Sequence, residues 1–253
     1  MIAVVRACVC LALLASCSGR SSGKVVRIGA ASDLQKAFEE VGKEFQARTG
    51  IAPEFTFSSS GLLAKQIENG EGYFLFASAD KSYVERVIKA ERCDAASARM
   101  YARGRLVVWT PQGKTPPRKI TDLTEERFKK ISIANPDHAP YGRAARQAMQ
   151  KLGIWDAIKD RIVEGDSVSQ AMLFARKGDV DAAIVALSLA IVTSGGESLT
   201  LDESLHDPLD QQLVVCGAGE EADRARQFSA FLETREGREI MSRYGFKLPE
   251  DRK

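Results

Sequence analysis

Short apolar runs alternate with amphipathic stretches along most of this chain. Residues 25–28, 106–109 and 182–187 are rich in aliphatic side chains, as is typical of strands buried on both faces. Between such runs, apolar residues recur at spacings of three and four, which predicts helices with one buried face. The alternation predicts an α/β fold in which helices flank mainly parallel sheets.

The same pattern indicates how the chain is divided. A proline-containing loop over residues 110–121 follows one of the buried runs and indicates where the chain first crosses between two lobes. The apolar run at residues 212–215 is interpreted as the return crossing. Lobe 1 is therefore predicted to hold residues 24–106 and 216–253, and lobe 2 residues 107–215.

The N-terminus predicts export from the cytoplasm. Residues 1–16 hold one early charge, Arg6, and an apolar stretch too short for an ordinary membrane span. Residues 14–17 fit the cleavage box of a bacterial lipoprotein, so we expect residues 1–16 to be a signal peptide and Cys17 to carry lipid. Residues 17–23 are predicted to form a flexible tether. The alternative is an ordinary secretory signal with a cysteine there by chance.

The charges are balanced and interspersed, with 36 Lys and Arg against 34 Asp and Glu. No basic stripe indicates nucleic-acid binding, so specificity for an anion must come from a local site. Surface cations such as Lys81, Arg86 and Arg92 are expected to be solvated.

Cysteine usage excludes a disulfide scaffold and a metal-ligand motif. Cys8 and Cys10 lie in the predicted signal peptide, and Cys17 is the predicted lipid attachment site. Only Cys93 and Cys216 remain, and the sequence leaves open whether they pair.

Four strand-to-helix junctions offer hydrogen-bond donors. In open α/β sheets, ligands lie beyond the carboxyl ends of strands, where helix N-termini bind anions. Ser32 and Ser60 follow two predicted strands, and Gly61 would let an anion approach the backbone. A loop with two prolines delivers Tyr141 to a third helix start. At the fourth, Val168 can contribute only its backbone N–H.

Each junction also fits an ordinary structural role. Ser32 with Gln35, and Ser167 with Gln170, have the spacing of a capping box. Ser60 fits a Ser/Gly turn. Taken singly, these residues do not separate a helix cap from a ligand contact.

The junction residues also belong to a set of short segments that occur in a definite order. They are residues 30–32, 57–61, 64–67, 78–80, 135–145 and 243–246. In this order and spacing they resemble the periplasmic molybdate-binding proteins of ABC importers. The resemblance covers nearly all of residues 24–248. It implies a two-lobed type-II periplasmic binding protein that holds an oxyanion in the cleft between its lobes.

The resemblance also implies a site and partners. The family's ligand-binding positions fall on Ser32, Ser60, Tyr141 and the backbone N–H of Val168. The implied ligand is molybdate or tungstate, carried as cargo without any cofactor, and delivered to a membrane permease and its ATPase subunit. The protein is expected to be a monomer held outside the cytoplasm by lipid on Cys17.

Two positions depart from the family pattern. Ala186 stands where some members offer a tyrosine, and Tyr141, where those members carry a small residue, could supply the missing phenol. Phe74 stands where the family usually has an aspartate near the cleft, so local geometry and selectivity are expected to differ from those of the family.

Ligand chemistry leaves other oxyanions open. Molybdate is fully deprotonated at neutral pH, so a site made only of hydroxyl and N–H donors matches its oxygens. Sulfate shares this property and would be excluded chiefly by size. Phosphate usually brings a proton and requires a carboxylate, for which Asp33 is the candidate. We expect Asp33 instead to be a first-turn helix acid facing solvent. A small organic acid is a further alternative.

A serine hydrolase using Ser32 or Ser60 with His138 is the alternative from another class. No Gly-x-Ser-x-Gly nucleophile turn follows a predicted strand, and no His-Glu-x-x-His zinc motif occurs in the sequence. The sequence therefore favours a binding protein over an enzyme.

Overall fold

The computed structural model describes residues 24–250 of the 253-residue chain. The predicted signal peptide, the lipid site at Cys17 and the tether up to residue 23 lie outside the described residues. The strands are β1 (Lys24–Ala31), β2 (Ile51–Ser58), β3 (Leu75–Ser78), β4 (Arg99–Arg103), β5 (Leu106–Pro111), β6 (Ile131–Ala134), β7 (Ile162–Gly165), β8 (Ala182–Ala186), β9 (Gly196–Thr200) and β10 (Asp210–Val215).

Helices follow most of these strands. They are α1 (Gln35–Thr49), α2 (Ser60–Glu68), α3 (Lys81–Lys89), α4 (Pro140–Lys151), α5 (Trp155–Ile158), α6 (Val168–Arg176), α7 (Leu187–Ile191), α8 (Glu220–Glu233) and α9 (Arg235–Arg243). Within the described part of the chain, no helix is both long and apolar enough to span a bilayer.

The strands form two sheets of five, in the orders β2-β1-β3-β10-β4 and β7-β6-β8-β5-β9. The two-lobed α/β fold is thus confirmed. In each sheet four strands run in the same direction, and one strand, β10 in the first sheet and β5 in the second, is antiparallel to both of its neighbours. These two strands are reversed because they enter their sheets directly from the other lobe, without a crossover helix. The apolar composition of a buried strand does not indicate whether the strand runs parallel or antiparallel to its neighbours.

The lobe boundaries differ from the prediction on one side. Strand β5 begins the second sheet within one residue of the predicted crossing, whereas β10 pairs with β3 and β4 in the first sheet. Residues 210–215 therefore belong to lobe 1, and the predicted boundary after residue 215 is corrected to the segment before β10. There the two connections lie side by side, since the N–H of Gly104 donates to the carbonyl of Leu209 at 3.0 Å. The sequence predicts a strand at residues 212–215, but the lobe to which this strand belongs depends on its pairing with β3.

Both faces of the first sheet are covered. Leu75 and Ala77 of β3 join the core formed with α1 and α8, whereas Phe76 packs on the other face with residues of α2 and α3. On the α1 side, the ring of Phe228 meets those of Phe38 and Phe45 edge to face, with centroids 5.5 and 5.2 Å away. This packing fixes α1 and α8 against the sheet, and α1 begins at the carboxyl edge of the parallel strands.

The open question of cysteine pairing is resolved within lobe 1. Cys93 and Cys216 form a disulfide that joins the end of β10 to the segment after α3. Cys216 follows Val215, which pairs with the first residue of β3, so the disulfide lies at the edge of the sheet away from the cleft.

Candidate functional site

The carboxyl ends of the parallel strands in the two lobes face each other across a small cavity. Residues at the first turns of helices from both lobes line this cavity, whose volume is about 10 Å³. Lobe 1 contributes Ser32, Asp33 and Ser60, and lobe 2 contributes Tyr141 and Val168. The structure therefore brings together all four predicted site residues, together with one that was expected elsewhere.

Ser32 follows the last residue of β1 and begins a 3₁₀ turn that leads into α1. Its Oγ lies 3.4 Å from the backbone N of Ser169, which donates to it, and its carbonyl accepts from the Ser169 hydroxyl at 2.9 Å. Both contacts cross the cleft. Ser32 makes no capping hydrogen bond, and its hydroxyl hydrogen remains able to donate.

Ser60 is the first residue of α2, and its side chain is completely buried. The Oγ accepts a hydrogen bond from the backbone N–H of Ala79 at 2.9 Å, which anchors it while its own hydrogen remains able to donate. The preceding residue, Ser59, has the extended backbone of the N-cap position. Both the serine at the N-cap and the serine that begins the helix therefore line the cavity.

Gly61 serves a different purpose from the one predicted. Its N–H donates to the carbonyl of His138 in lobe 2 at 2.9 Å, and a Cβ at Gly61 would lie 2.6 Å from that oxygen. The glycine thus allows close approach of the opposite lobe, not of an anion. This pairing could not be anticipated locally, because the partner lies in another lobe.

Tyr141 occupies the second position of α4, where the backbone N–H has no intrahelical acceptor. Its phenol is used elsewhere: the hydroxyl donates to Oδ2 of Asp33 at 3.0 Å and lies 3.3 Å from Nε2 of Gln211. Burial, and then the nearby Asp33 carboxyl, raise the pKa of Tyr141 well above its usual value. The expectation that this phenol replaces a missing ligand contact is corrected, because it bonds to Asp33 instead.

Val168 is the first residue of α6 and is buried. Ser167 caps the helix, with its Oγ accepting from the N–H of Gln170 at 3.3 Å. The capping interpretation of Ser167 is thus confirmed. As predicted, only the backbone of Val168 can offer a donor at this position, since its side chain is apolar.

Asp33 departs most clearly from its prediction. It is 1% exposed, not solvent-facing, and its Oδ2 accepts from Gln211 Nε2 at 2.6 Å as well as from Tyr141. Within the described part of the chain, its Oδ1 has no hydrogen-bond partner. Burial raises the pKa of this carboxyl to about 6, although hydrogen bonds from Gln211, from Tyr141 and from its own backbone act to lower it. The helix expected at Ser32 begins only at Gln35, so Asp33 lies in the tighter turn that the second lobe covers.

The two family departures have different consequences. Ala186 ends β8 and is buried, so it places no polar group in the cleft. Phe74 immediately precedes β3, where its ring lies 5.1 Å from the Arg27 guanidinium. It is separated from the cleft-facing residue Ser78 by the length of the strand, roughly 13 Å at 3.3 Å per residue. The Phe74 departure therefore lies away from the cavity, which corrects its placement near the cleft.

His138 does not pair with either serine of the hydrolase hypothesis. Its Nδ1 lies 2.8 Å from Oγ of Ser59, across the cleft. Among residues 24–250, no carboxylate is hydrogen-bonded to the His138 ring, so the pair lacks the third group that orients a general base. The contact joins the lobes.

A larger groove of about 660 Å³ lies beside the cleft, along α6 and α7. It contains exposed apolar side chains such as Leu173 and Val192 and is open to solvent. The small cavity is lined by Ser32, Ser60, Tyr141 and Val168, whose hydroxyl and backbone groups can donate to an anion, so it is the better candidate for an anion site.

Similarity to known proteins identifies the family of this chain. The sequence pattern of bacterial extracellular solute-binding proteins matches residues 26–247. The chain belongs to this family. The molybdate-binding protein ModA of Rhodobacter capsulatus is 33% identical over 229 residues, covering 89% of each chain. The putative ABC transporter substrate-binding lipoprotein YvgL of Bacillus subtilis is 28% identical over 245 residues, covering 92% of this chain and 93% of its own.

A solved structure agrees with this family membership. The periplasmic molybdate-binding protein of Azotobacter vinelandii superposes with a TM-score of 0.83 at 29% identity, covering 89% of this chain and 100% of the other. As an extracellular solute-binding protein, the chain acts outside the cytoplasm and belongs to a class whose members bind solutes.

Proposed function

We propose that this protein is the substrate-binding component of an ABC importer for molybdate or tungstate. One observation carries the proposal. Hydroxyl and backbone donors at four strand-to-helix junctions, two in each lobe, line one buried cavity. Relatives named as molybdate-binding proteins support the choice of ligand.

Four residues would hold the anion. Ser32 and Ser60 each have a hydroxyl hydrogen left after their Oγ has accepted a bond, and they would donate it to anion oxygens. Tyr141 and Val168 would donate backbone N–H groups from the first turns of α4 and α6, where the helix dipole also favours negative charge. All contacts are hydrogen bonds to oxygen, so the metal itself has no protein ligand.

The lobes would close on the anion and present it to a membrane permease with its ATPase subunit. Cross-cleft contacts such as those of Gly61 with His138 and Ser32 with Ser169 define the closed arrangement. Breaking these bonds would let the lobes open at the paired connections beside Gly104. The protein would act as a monomer, without a cofactor and without catalysis.

Anchoring by lipid is a further part of the proposal. Residues 1–16 would be removed and Cys17 would carry lipid, with residues 17–23 as the tether. The Bacillus subtilis relative, named a lipoprotein, supports this assignment. Cys17→Ser should release the protein from the membrane fraction; unchanged fractionation would contradict the anchor but not the binding function.

The proposal is tested by isothermal titration of the purified protein with molybdate, tungstate, sulfate and phosphate. We expect tight binding of molybdate and tungstate and little heat from the other two. Absence of molybdate binding, or preference for sulfate, would reject the ligand assignment while leaving the family membership unchanged.

One observation favours a second candidate, an oxyanion that keeps a proton, such as hydrogen phosphate. Asp33 lines the cavity, and an ionised carboxylate there would accept that proton. The phosphate titration separates this candidate from the first, because it requires phosphate to bind more tightly than molybdate.

A further inference from the structure

The cavity contains one acidic side chain that a donor-only site does not need. Asp33 lies beside Ser32 in the cavity wall, and its side chain is buried. Its backbone is held by lobe 2, since the hydroxyl of Ser188 donates to the Asp33 carbonyl at 2.8 Å. This bond across the cleft therefore keeps Asp33 in the cavity wall when the lobes are closed.

The two carboxyl oxygens of Asp33 have unequal surroundings. Oδ2 accepts from the Tyr141 hydroxyl at 3.0 Å and from Gln211 Nε2 at 2.6 Å, whereas Oδ1 has no side-chain or backbone partner elsewhere among residues 24–250. An oxygen that already accepts two hydrogen bonds is a poor place for a proton. A proton on this carboxyl would therefore lie on Oδ1.

The groups around Asp33 do not neutralise it with positive charge. The titratable side chains that face it are Tyr141 from α4 and Tyr101 from β4, and burial keeps both phenols neutral by raising their pKa values well above the usual range. Gln211 from β10 donates without charge. Burial outweighs the hydrogen bonds to this carboxyl and raises the pKa of Asp33 to about 6.

An anion in the cavity would act in the same direction. A dianion close to an ionised carboxylate is repelled by it, more strongly in a buried site than in water. A neutral carboxylic acid removes this repulsion and adds one donor to the site.

We infer that Asp33 is a further binding residue of the anion site, which holds its ligand as a neutral carboxylic acid donating the Oδ1 proton to an anion oxygen. Binding of one molybdate then takes up one proton from solvent onto Oδ1, and no other bond forms or breaks. The inference rests on the proposed function for the identity of the anion.

The role of Tyr141 follows from the same geometry. Its hydroxyl, together with Gln211, occupies Oδ2 and so directs the proton to the other oxygen. Tyr141 is in this respect a positioning residue, because its phenol acts through Asp33 while its backbone lies at the helix start.

The test is isothermal titration with sodium molybdate in buffers of different ionisation enthalpy, which reports protons taken up on binding. Above the pKa of about 6, we expect an uptake of about one proton per anion and an affinity that falls up to about tenfold per pH unit. Asp33→Asn should bind without proton uptake and with little pH dependence, because an amide nitrogen replaces the acid as donor. At pH 8 this variant should bind at least as tightly as the wild type.

Asp166→Asn is the matched control. Asp166 precedes the cap of α6 and is exposed, so its substitution removes the same charge near the cleft but should leave proton uptake unchanged. Tyr141→Phe removes a donor to Oδ2 and should move the onset of the pH dependence to higher pH.

Tight molybdate binding without proton uptake in the wild type would overturn the inference and leave the proposed function intact. Equal pH dependence in the wild type and Asp33→Asn would also overturn it. Failure of the wild type to bind molybdate at any pH would instead reject the proposed function.

Discussion

The two lobes have the same order of strand directions but offer the cavity different chemistry. In lobe 1, the cavity is lined by Ser32, Asp33 and Ser60, which carry polar side chains. In lobe 2, the corresponding edge presents the starts of α4 and α6, where backbone N–H groups are the available donors. The same architecture therefore offers polar side chains from lobe 1 and backbone N–H groups from lobe 2.

This difference predicts unequal sensitivity to mutation. A side-chain donor is lost with one substitution, whereas a backbone donor survives any substitution except proline. Substitutions in lobe 1 should therefore change affinity, while most in lobe 2 should change only packing.

The largest expected effect concerns stability and is confined to lobe 1, which contains the disulfide. Replacing Cys93 and Cys216 by alanine should lower the free energy of unfolding by about 2–5 kcal/mol, because the cross-link restricts the unfolded chain. Denaturant unfolding measures this change. Molybdate affinity of the folded variant should stay at the wild-type value, and a large loss would show that the lobes are coupled through β10.

Ser60→Ala should weaken molybdate binding by about 10- to 100-fold, the value of one hydrogen bond to a charged group. Isothermal titration gives the dissociation constant, and Ser82→Ala, an exposed serine of α3, is the control. Because the Ala79 N–H also loses its acceptor, thermal unfolding must be measured alongside. Wild-type affinity in Ser60→Ala would remove this serine from the site.

Gly61→Ala should weaken binding by about tenfold, because the added Cβ would push against the His138 carbonyl and disfavour closure. Small-angle scattering with and without molybdate should show less compaction than in the wild type. If compaction and affinity are unchanged, the contact between Gly61 and His138 does not control closure.

Val168→Pro tests directly whether a backbone donor of lobe 2 contacts the anion. Proline is tolerated at the first position of a helix and removes only the N–H donor, and Ser167 already has the extended backbone that proline requires before it. We expect a loss of affinity of about tenfold with unchanged helix content by circular dichroism. An unaffected dissociation constant would mean that this N–H does not contact the anion.

Val168→Ala is expected to have the smallest effect, within about twofold in affinity, because it keeps the N–H and changes only a surface that packs at the cavity. Titration beside Val168→Pro provides the comparison. A large loss in Val168→Ala would show that the isopropyl group itself shapes the cavity.

Parts of the site could be predicted because their signals are local. Ser60 and Val168 were identified from residues next to a strand end and a helix start, and the structure places both at the cavity. Asp33 was misplaced because its burial depends on Tyr141 and Gln211, which are 108 and 178 residues away along the chain. Gly61 was assigned to the wrong neighbour for the same reason.

The sequence by itself determined the alternation of strands and helices, the junctions that carry hydrogen-bond donors, and the family. These features follow from apolar periodicity and short motifs, which depend only on residues close together in the chain. Only the tertiary structure decided which lobe contains β10, that the sheets are mixed, and that a carboxyl lies in the cavity wall. These properties depend on strand pairing and on contacts across the cleft between residues far apart in the chain. Such contacts exist only when both lobes have folded and closed.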